Sequence, residues 1–473
     1  MTSVRRLLPI TLLLALLLAA PANANRSQTM TFEAPRDLLN AGTRPAALEE
    51  LESLGVRSLR VILTWKDVAP SPNAAQRPNF EPTSPAGYDW GEYDALMQAA
   101  KDRNWPVLLT ISGPVPKWAT KDKLDQVTRP SATAFAAFVQ AVARHYGDQV
   151  DTWAIWNEPN QPQFLRPQFG NGGKAISPSL YRGLYKAAVR GLVKAGQGTE
   201  RILLGETSPR GTGRVVAPLR FLRGVLCLNT KYVKRKSCGA LPAGGYAHHA
   251  YTTRQGPFFR PANKDDVTIG VLSRLTTALE RARKAGAVSK KLPVYLTEFG
   301  IQSTPDTQSG VSLAKQVEYR AIAERIAYDN SRVVAFSQYL LRDSDPTGPK
   351  QYGGFESGLR FANGRPKPSL PAFRLPMAVK RNGSKVSIWG LVRPAIGQPA
   401  AGPTPVSALG SGVTTVTIVS ADRGSSRFRT LKTVKTDSRG YFRLSSAYRA
   451  GRRWNVRWTT FSGTPVGSYR SPR

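Results

Sequence analysis

From about Thr29 to Ala372, short aliphatic and β-branched runs alternate with longer stretches in which apolar residues return every three or four positions. The short runs read as buried strands and the longer ones as amphipathic helices. Their repeated alternation predicts an α/β fold of βα units around a parallel sheet. Candidate strands are Thr29–Glu33, Ser58–Thr64, Pro106–Ile111, Thr152–Trp156, Arg201–Gly205, Gly245–His249, Pro293–Thr297 and Val333–Tyr339. Helical periodicity is readable over Asp89–Arg103, Ser131–Tyr146, Pro178–Ala195, Val267–Ala285 and Leu313–Asn330, with Asp89 and Glu92 in capping-box positions. Eight strands separated by helices in roughly 350 residues suit a closed (β/α)8 TIM barrel. An open doubly wound sheet is the alternative, but it would normally carry a Gly-rich phosphate loop after its first strand, and no such loop occurs here.

After Pro371 the texture changes. Alternating strand-like pieces at Val386–Val392, Val413–Val419 and Trp454–Trp458 flank a Pro/Gly-rich stretch, IGQPAAGPTPVSALGSG, and a turn is expected at Asp437–Gly440. This tail predicts a small C-terminal all-β sandwich. The expected organisation is a leader at 1–24, a barrel at 25–374 and the accessory sandwich at 375–473.

The leader reading rests on Arg5 and Arg6 ahead of an apolar run from Leu7 to Ala20, then small residues at Ala22 and Ala24. That is the layout of a secretory signal peptide cleaved after Ala24. The run is short for a spanning helix, which needs about 20 residues, and Pro9 interrupts it. The mature chain is therefore expected outside the membrane, secreted or cell-surface associated, with no transmembrane segment. Its two cysteines, Cys227 and Cys238, are expected to form one disulfide in that oxidising setting, and metal-ligand spacing is absent.

Charge sharpens the partner question. The chain carries 67 Lys and Arg against 31 Asp and Glu, a formal +36. Beyond Leu375 there are 17 basic residues against only Asp422 and Asp437, a net +15. Such a surface attracts polyanions. With no nucleic-acid-binding motif and an export signal, anionic cell-wall polymers or acidic polysaccharides fit better than nucleic acid. A passive stabilising role for the tail is the other reading.

Two strand ends carry the chemistry. Glu158, in Trp156-Asn157-Glu158-Pro159-Asn160, and Glu298, in Thr297-Glu298-Phe299-Gly300, both stand where a barrel strand delivers its last residue to the loop face that hosts active sites. Glycoside cleavage needs such a pair, one carboxyl protonated to assist the leaving oxygen and one ionised to attack or stabilise the sugar cation. Their separation, which sequence does not supply, decides between retention and inversion.

These motifs resemble clan A glycoside hydrolases, in which N-E-P closes strand 4 and a Glu before Gly closes strand 7. The similarity spans roughly residues 29 to 375. The form WNEPN, with 140 residues between the two glutamates, most resembles family 39 and related cellulase-like families. The resemblance implies Glu158 as general acid/base, Glu298 as nucleophile in a double displacement, and Asn157 as a partner of the sugar 2-hydroxyl, without metal or organic cofactor. Arg60 resembles the strand 2 arginine that holds the nucleophile ionised. His249 and Tyr251 resemble the strand 6 H-x-Y pair that orients the nucleophile and contacts substrate. Trp65 and Trp118, just past strands 2 and 3, are either sugar platforms or core. Where many clan members place a strand 8 Trp, this chain has Phe336-Ser337-Gln338-Tyr339, so Gln338 or Tyr339 is expected at that subsite, with Asp343 near it.

Other candidates stay secondary. His248 reads as packing or support, Trp90 and Trp105 as packing, and Glu206, ending strand 5, as cleft lining or surface loop. The expected function is a secreted retaining β-glycosidase acting on a polysaccharide or glycoconjugate. The alternative is a non-catalytic carbohydrate or cell-wall binding protein on the same barrel.

Overall fold

The computed structural model describes residues 25, 27–346, 354–395, 413–460, 463 and 465–467. The expected leader at 1–24 and the Pro/Gly-rich stretch at 396–412 lie outside the described residues.

Eight parallel strands close into a barrel in chain order: β1 (Thr29–Glu33), β2 (Leu59–Thr64), β3 (Val107–Ser112), β4 (Thr152–Ile155), β5 (Ile202–Thr207), β6 (Gly245–His249), β7 (Val294–Glu298) and β8 (Val333–Tyr339). Each strand is followed by helix: α1 (Pro35–Leu38) and α2 (Arg44–Ser53) after β1, α3 (Trp65–Val68) and α4 (Gly91–Asp102) after β2, and α5 (Ala132–Tyr146) after β3. Then come α6 (Ser177–Lys194), α7 (Pro218–Val225), α8 (Leu272–Lys284), α9 (Leu313–Tyr328) and α10 (Ser369–Arg374). Both faces of the sheet are covered, so the strands read as near-continuous apolar runs; β3, β5 and β6 are buried throughout. Small residues such as Ala154 and Ala247 join Leu108 and Leu203 in one apolar cluster contributed by β3 to β6.

One local expectation fails. α4 begins at Gly91 with Trp90 as its N-cap and no side-chain cap, so Asp89 and Glu92 form no capping box. The backbone N–H of Asp89 instead donates to Val68 O at 2.9 Å, pinning that residue to α3 and delaying the helix start.

The C-terminal region holds two antiparallel sheets. β9 (Met377–Asn382), β10 (Lys385–Leu391) and β13 (Tyr441–Ala447) form one, in the order β13-β10-β9. β11 (Thr415–Ala421), β12 (Arg429–Lys435), β14 (Arg453–Thr459) and β15 (Pro465–Gly467) form the other, in the order β12-β11-β14-β15. Val386, Ile388, Val416, Ile418, Phe442, Trp454 and Val456 bury into a common core between them. The pattern signals β10, β11, β14 and, after the turn at Asp437–Gly440, β13; β9, β12 and β15 are not legible in it. The sandwich packs on α9, where the Tyr328 ring lies 4.5 Å from Tyr441 and 5.4 Å from Trp389. Arg325 reaches across to Ala378 O at 3.1 Å and Ser387 O at 2.8 Å. Cys227 and Cys238, between α7 and β6, are disulfide-bonded. Among the described residues no helix is long and apolar enough to cross a membrane.

Candidate active site

The carboxyl ends of the strands converge on Arg60 of β2. The register pairs Glu33 with Tyr339 where β1 meets β8, and His249 with Glu298 where β6 meets β7, so these side chains arrive at one level. Arg60, fully buried, donates from Nε to Glu206 Oε1 at 3.0 Å and from Nη2 to Glu206 Oε2 at 2.9 Å and Asn157 Oδ1 at 3.0 Å. Its Nη1 donates to Glu298 Oε1 at 2.7 Å and also contacts Glu33 Oε2. One guanidinium thus holds three carboxyls, using the fork geometry that suits arginine to this task. Burial opposes its charge, but Glu206, Glu33 and Glu298 outweigh burial and keep it protonated.

The Trp156-Asn157-Glu158 segment leaves β4 through strained backbone. Trp156 has φ 71° and Glu158 φ 39°, conformations that cost a non-glycine residue roughly 1 to 3 kcal/mol each. Surrounding bonds fix them. The Trp156 indole is buried and donates to Phe164 O at 3.1 Å, Asn157 N donates to Ser112 Oγ at 3.0 Å, and Glu158 N donates to Glu206 O at 3.0 Å. Asn160, the last motif residue, ties this loop to the next through Ser208 and Val216.

His249 stands between the two predicted catalytic glutamates, its Nδ1 2.9 Å from Glu158 Oε1 and 3.5 Å from Glu298 Oε2. Potential ligand atoms of Glu158, His249 and Glu298 all lie within 4.8 Å of one another. Tyr251 donates its hydroxyl to Glu298 Oε2 at 3.1 Å. The two carboxyls are driven apart electrostatically. Burial raises Glu158 above the usual range, only partly offset by its bond to His249, and the Glu298 charge adds to the rise. Burial pushes Glu298 the same way, but His249, Arg60 and the Tyr251 hydroxyl together overcome it and hold Glu298 below the usual range. His249 is opposed by burial yet raised by Glu298 and Glu158.

Three predicted site residues stand elsewhere. Trp65 is 1% exposed, stacked on Phe138 of α5 at 4.9 Å, with Trp118 edge-on at 5.7 Å and itself 7% exposed. Both rings belong to an aromatic cluster at the helix layer and have no free face for a sugar. Gln338 points outward from β8, accepting from Arg320 Nε of α9 at 2.7 Å. Strand alternation turns its neighbour Tyr339 inward instead. That side chain lies in the field of Glu33 and Glu298 and packs edge-on against Phe355 at 5.0 Å. Asp343 is paired with Lys367 Nζ at 2.7 Å. His248 is a supporting residue: its ring nitrogens lie 3.0 Å from Thr207 Oγ1 and 2.8 Å from Val267 O, and burial lowers its pKa to about 4.

Glu33 and Glu206 are the site residues that sequence reading missed or left open. Glu33 carried the same signal as Glu298, a glutamate closing a strand. Glu206 is turned inward by a bulge: Gly205 pairs with Ala247 and Thr207 with His248, leaving Glu206 extra with φ 54°.

No protein-family model matches this chain, and no curated protein matches it. Solved structures match over most of its length. A glucosidase from Croceicoccus marinus aligns at TM-score 0.51 and 15% identity, covering 92% of this chain and 96% of its own. A family 39 glycoside hydrolase from Bacteroides cellulosilyticus WH2 aligns at TM-score 0.52 and 15% identity, covering 91% and 82%. At that identity the likeness is one of fold, and the fold is the barrel these glycoside hydrolases use.

Proposed function

We propose that the chain is a secreted, retaining β-glycosidase that hydrolyses O-glycosidic bonds of a polysaccharide or glycoconjugate by double displacement. The observation that carries this reading is the convergence of Glu158 and Glu298 on His249 Nδ1, at 2.9 and 3.5 Å, in surroundings that push the first carboxyl up and the second down. Glu158, held protonated, donates to the departing oxygen, and Glu298, held ionised, attacks the anomeric carbon. Water then enters with Glu158 acting as base. Ligand atoms within 4.8 Å favour the close spacing of retaining pairs, about 5 to 5.5 Å, over the roughly 6.5 to 9.5 Å of inverting pairs. The basic sandwich serves adhesion to an anionic cell-wall polymer.

The test is release of reducing ends from a panel of neutral and acidic polysaccharides and cell-wall fractions, comparing wild type with Glu298→Ala. Cleavage by wild type alone, with initial retention of anomeric configuration, is the expected result. A folded wild type that cleaves nothing yet is retained on one polymer would turn the reading into a binding module.

A further inference from the structure

A cavity of about 480 Å³ opens next to Tyr251, among the loops that follow β5, β6 and β7. Tyr251 lines it, and the same hydroxyl bonds Glu298, so a chain seated at the carboxylates extends into this space. Its charged lining residues are Arg210 and Arg254, and no Asp or Glu lines it among the described residues. Arg254 Nη1 makes only long bonds, 3.3 Å to Thr307 O and 3.2 Å to Gln308 O. Arg210 influences Asp266, but that carboxylate already accepts from Gly211 N at 2.8 Å, and neither arginine has an ion pair among the described residues. Gln302 also lines the cavity. The charged residues that line a neighbouring cavity of about 560 Å³, beyond Gln302 and Glu356, are Asp343, Asp345, Glu356 and Arg365, so acidic groups predominate there.

We propose that the Arg210–Arg254 cavity is a subsite for a sugar bearing a carboxylate, which makes the substrate a uronic-acid polysaccharide. The proposal rests on the glycosidase reading for what happens to that substrate, but not for its binding. Two guanidinium groups in the lining, Arg210 from the loop after β5 and Arg254 from the loop after β6, supply the planar, charge-assisted donors that a carboxylate takes.

The experiment uses full-length Glu298→Gln protein in about 0.15 M salt, where distant surface charge is screened beyond about 8 Å. Tetramers from polygalacturonate, alginate and hyaluronan are titrated intact and carboxyl-reduced, while wild type is assayed for cleavage of the parent polymers. At least one intact tetramer is expected to bind on the order of tenfold tighter than its reduced form. Arg210→Gln with Arg254→Gln should reduce that preference to about twofold or less, and Arg254→Lys, which keeps the charge, should retain most of it. No preference for any intact tetramer, or a preference that survives the double substitution, overturns the proposal. An arginine-dependent preference without cleavage supports the subsite and defeats the glycosidase reading; equal cleavage of intact and reduced polymers, unaffected by the arginines, does the reverse.

Discussion

Glu33 and Glu298 meet on a single nitrogen, Nη1 of Arg60, which lies 2.7 Å from Glu298 Oε1 and in contact with Glu33 Oε2. Two carboxylates on one donor repel each other, so the pair settles with one proton. Burial, offset in part by Arg60 and reinforced by Glu298, pushes Glu33 up to about 8, while Glu298 stays below its usual value. Glu33 therefore stays protonated at neutral pH and leaves the arginine's charge to Glu298 and Glu206.

That assignment predicts a stability profile. A carboxyl whose folded pKa is raised binds its proton more tightly in the folded state. Its contribution is complete below the unfolded value near 4.5 and is lost as pH rises through about 8. Wild-type Tm should fall across that window, and Glu33→Gln, which mimics the protonated form, should flatten the fall by a few degrees. Thermal melts at pH 5, 6.5 and 8 check it; parallel slopes for the two proteins would dismiss the shared-donor account.

The rate profile follows from the other pair. On the proposed double displacement, activity requires Glu298 ionised, so the acid limb is expected below the ordinary glutamate range. It also requires Glu158 protonated, so the alkaline limb lies above that range. Glu158→Ala should lose roughly 10² to 10⁴ in kcat on substrates with poor leaving groups, keep slow turnover of activated aryl glycosides, and regain rate with azide. Its alkaline limb should vanish. Glu298→Ala should fall to background on both substrates; full activity in both variants would refute the roles.

The barrel, and the meeting of Glu158 and Glu298 at its rim, were legible in the sequence, for reasons that particular residues make plain. Strand ends such as Ile155 and Thr297 precede a glutamate within a run of buried residues, and that conjunction marks a barrel's functional rim. The choice between Gln338 and Tyr339 stayed open, and Gln338 turned out to face away, because one residue of register in β8 decides which of them faces inward and composition does not encode that parity. Trp65 stayed open between sugar platform and core because an aromatic one step past a strand is compatible with rim and helix layer alike; its stacking on Phe138, 73 positions away, is a tertiary fact. Glu206 was undecidable because its direction depends on a bulge after Gly205, whose φ of 115° any added side chain would strain.

Arg60 is the structural keystone of the same cluster. Arg60→Met would leave Glu206 and Glu298 buried without their cation, and breaking a buried pair by removing one partner costs about 3 to 5 kcal/mol. A large drop in unfolding free energy is expected, together with a rise in the acid limb of any remaining activity as Glu298 loses a charge that lowers it. Arg60→Lys should recover part of the stability but not the fork that spans Glu206 and Asn157. Denaturant unfolding that finds Arg60→Met as stable as wild type would contradict this.

The adhesion reading calls for substitutions rather than truncation. Removing everything from Leu375 would uncover Tyr328 on α9 and strip the Trp389 and Tyr441 rings from it, exposing apolar surface that promotes aggregation. The better test is β12, an edge strand with Arg429, Lys432 and Lys435 exposed. These side chains also guard that edge against pairing with another chain, as charged edge residues do. Replacing the three with Gln should weaken retention on an anionic polymer several-fold at low salt, with the difference shrinking as salt rises, because the attraction is screened over about 10 Å at 0.1 M. Turnover of a small soluble glycoside should be unaffected, since β12 lies in the sandwich and not on the barrel rim. Unchanged retention in the triple variant would leave β12 a purely structural edge and move the search for the adhesive surface elsewhere on the sandwich.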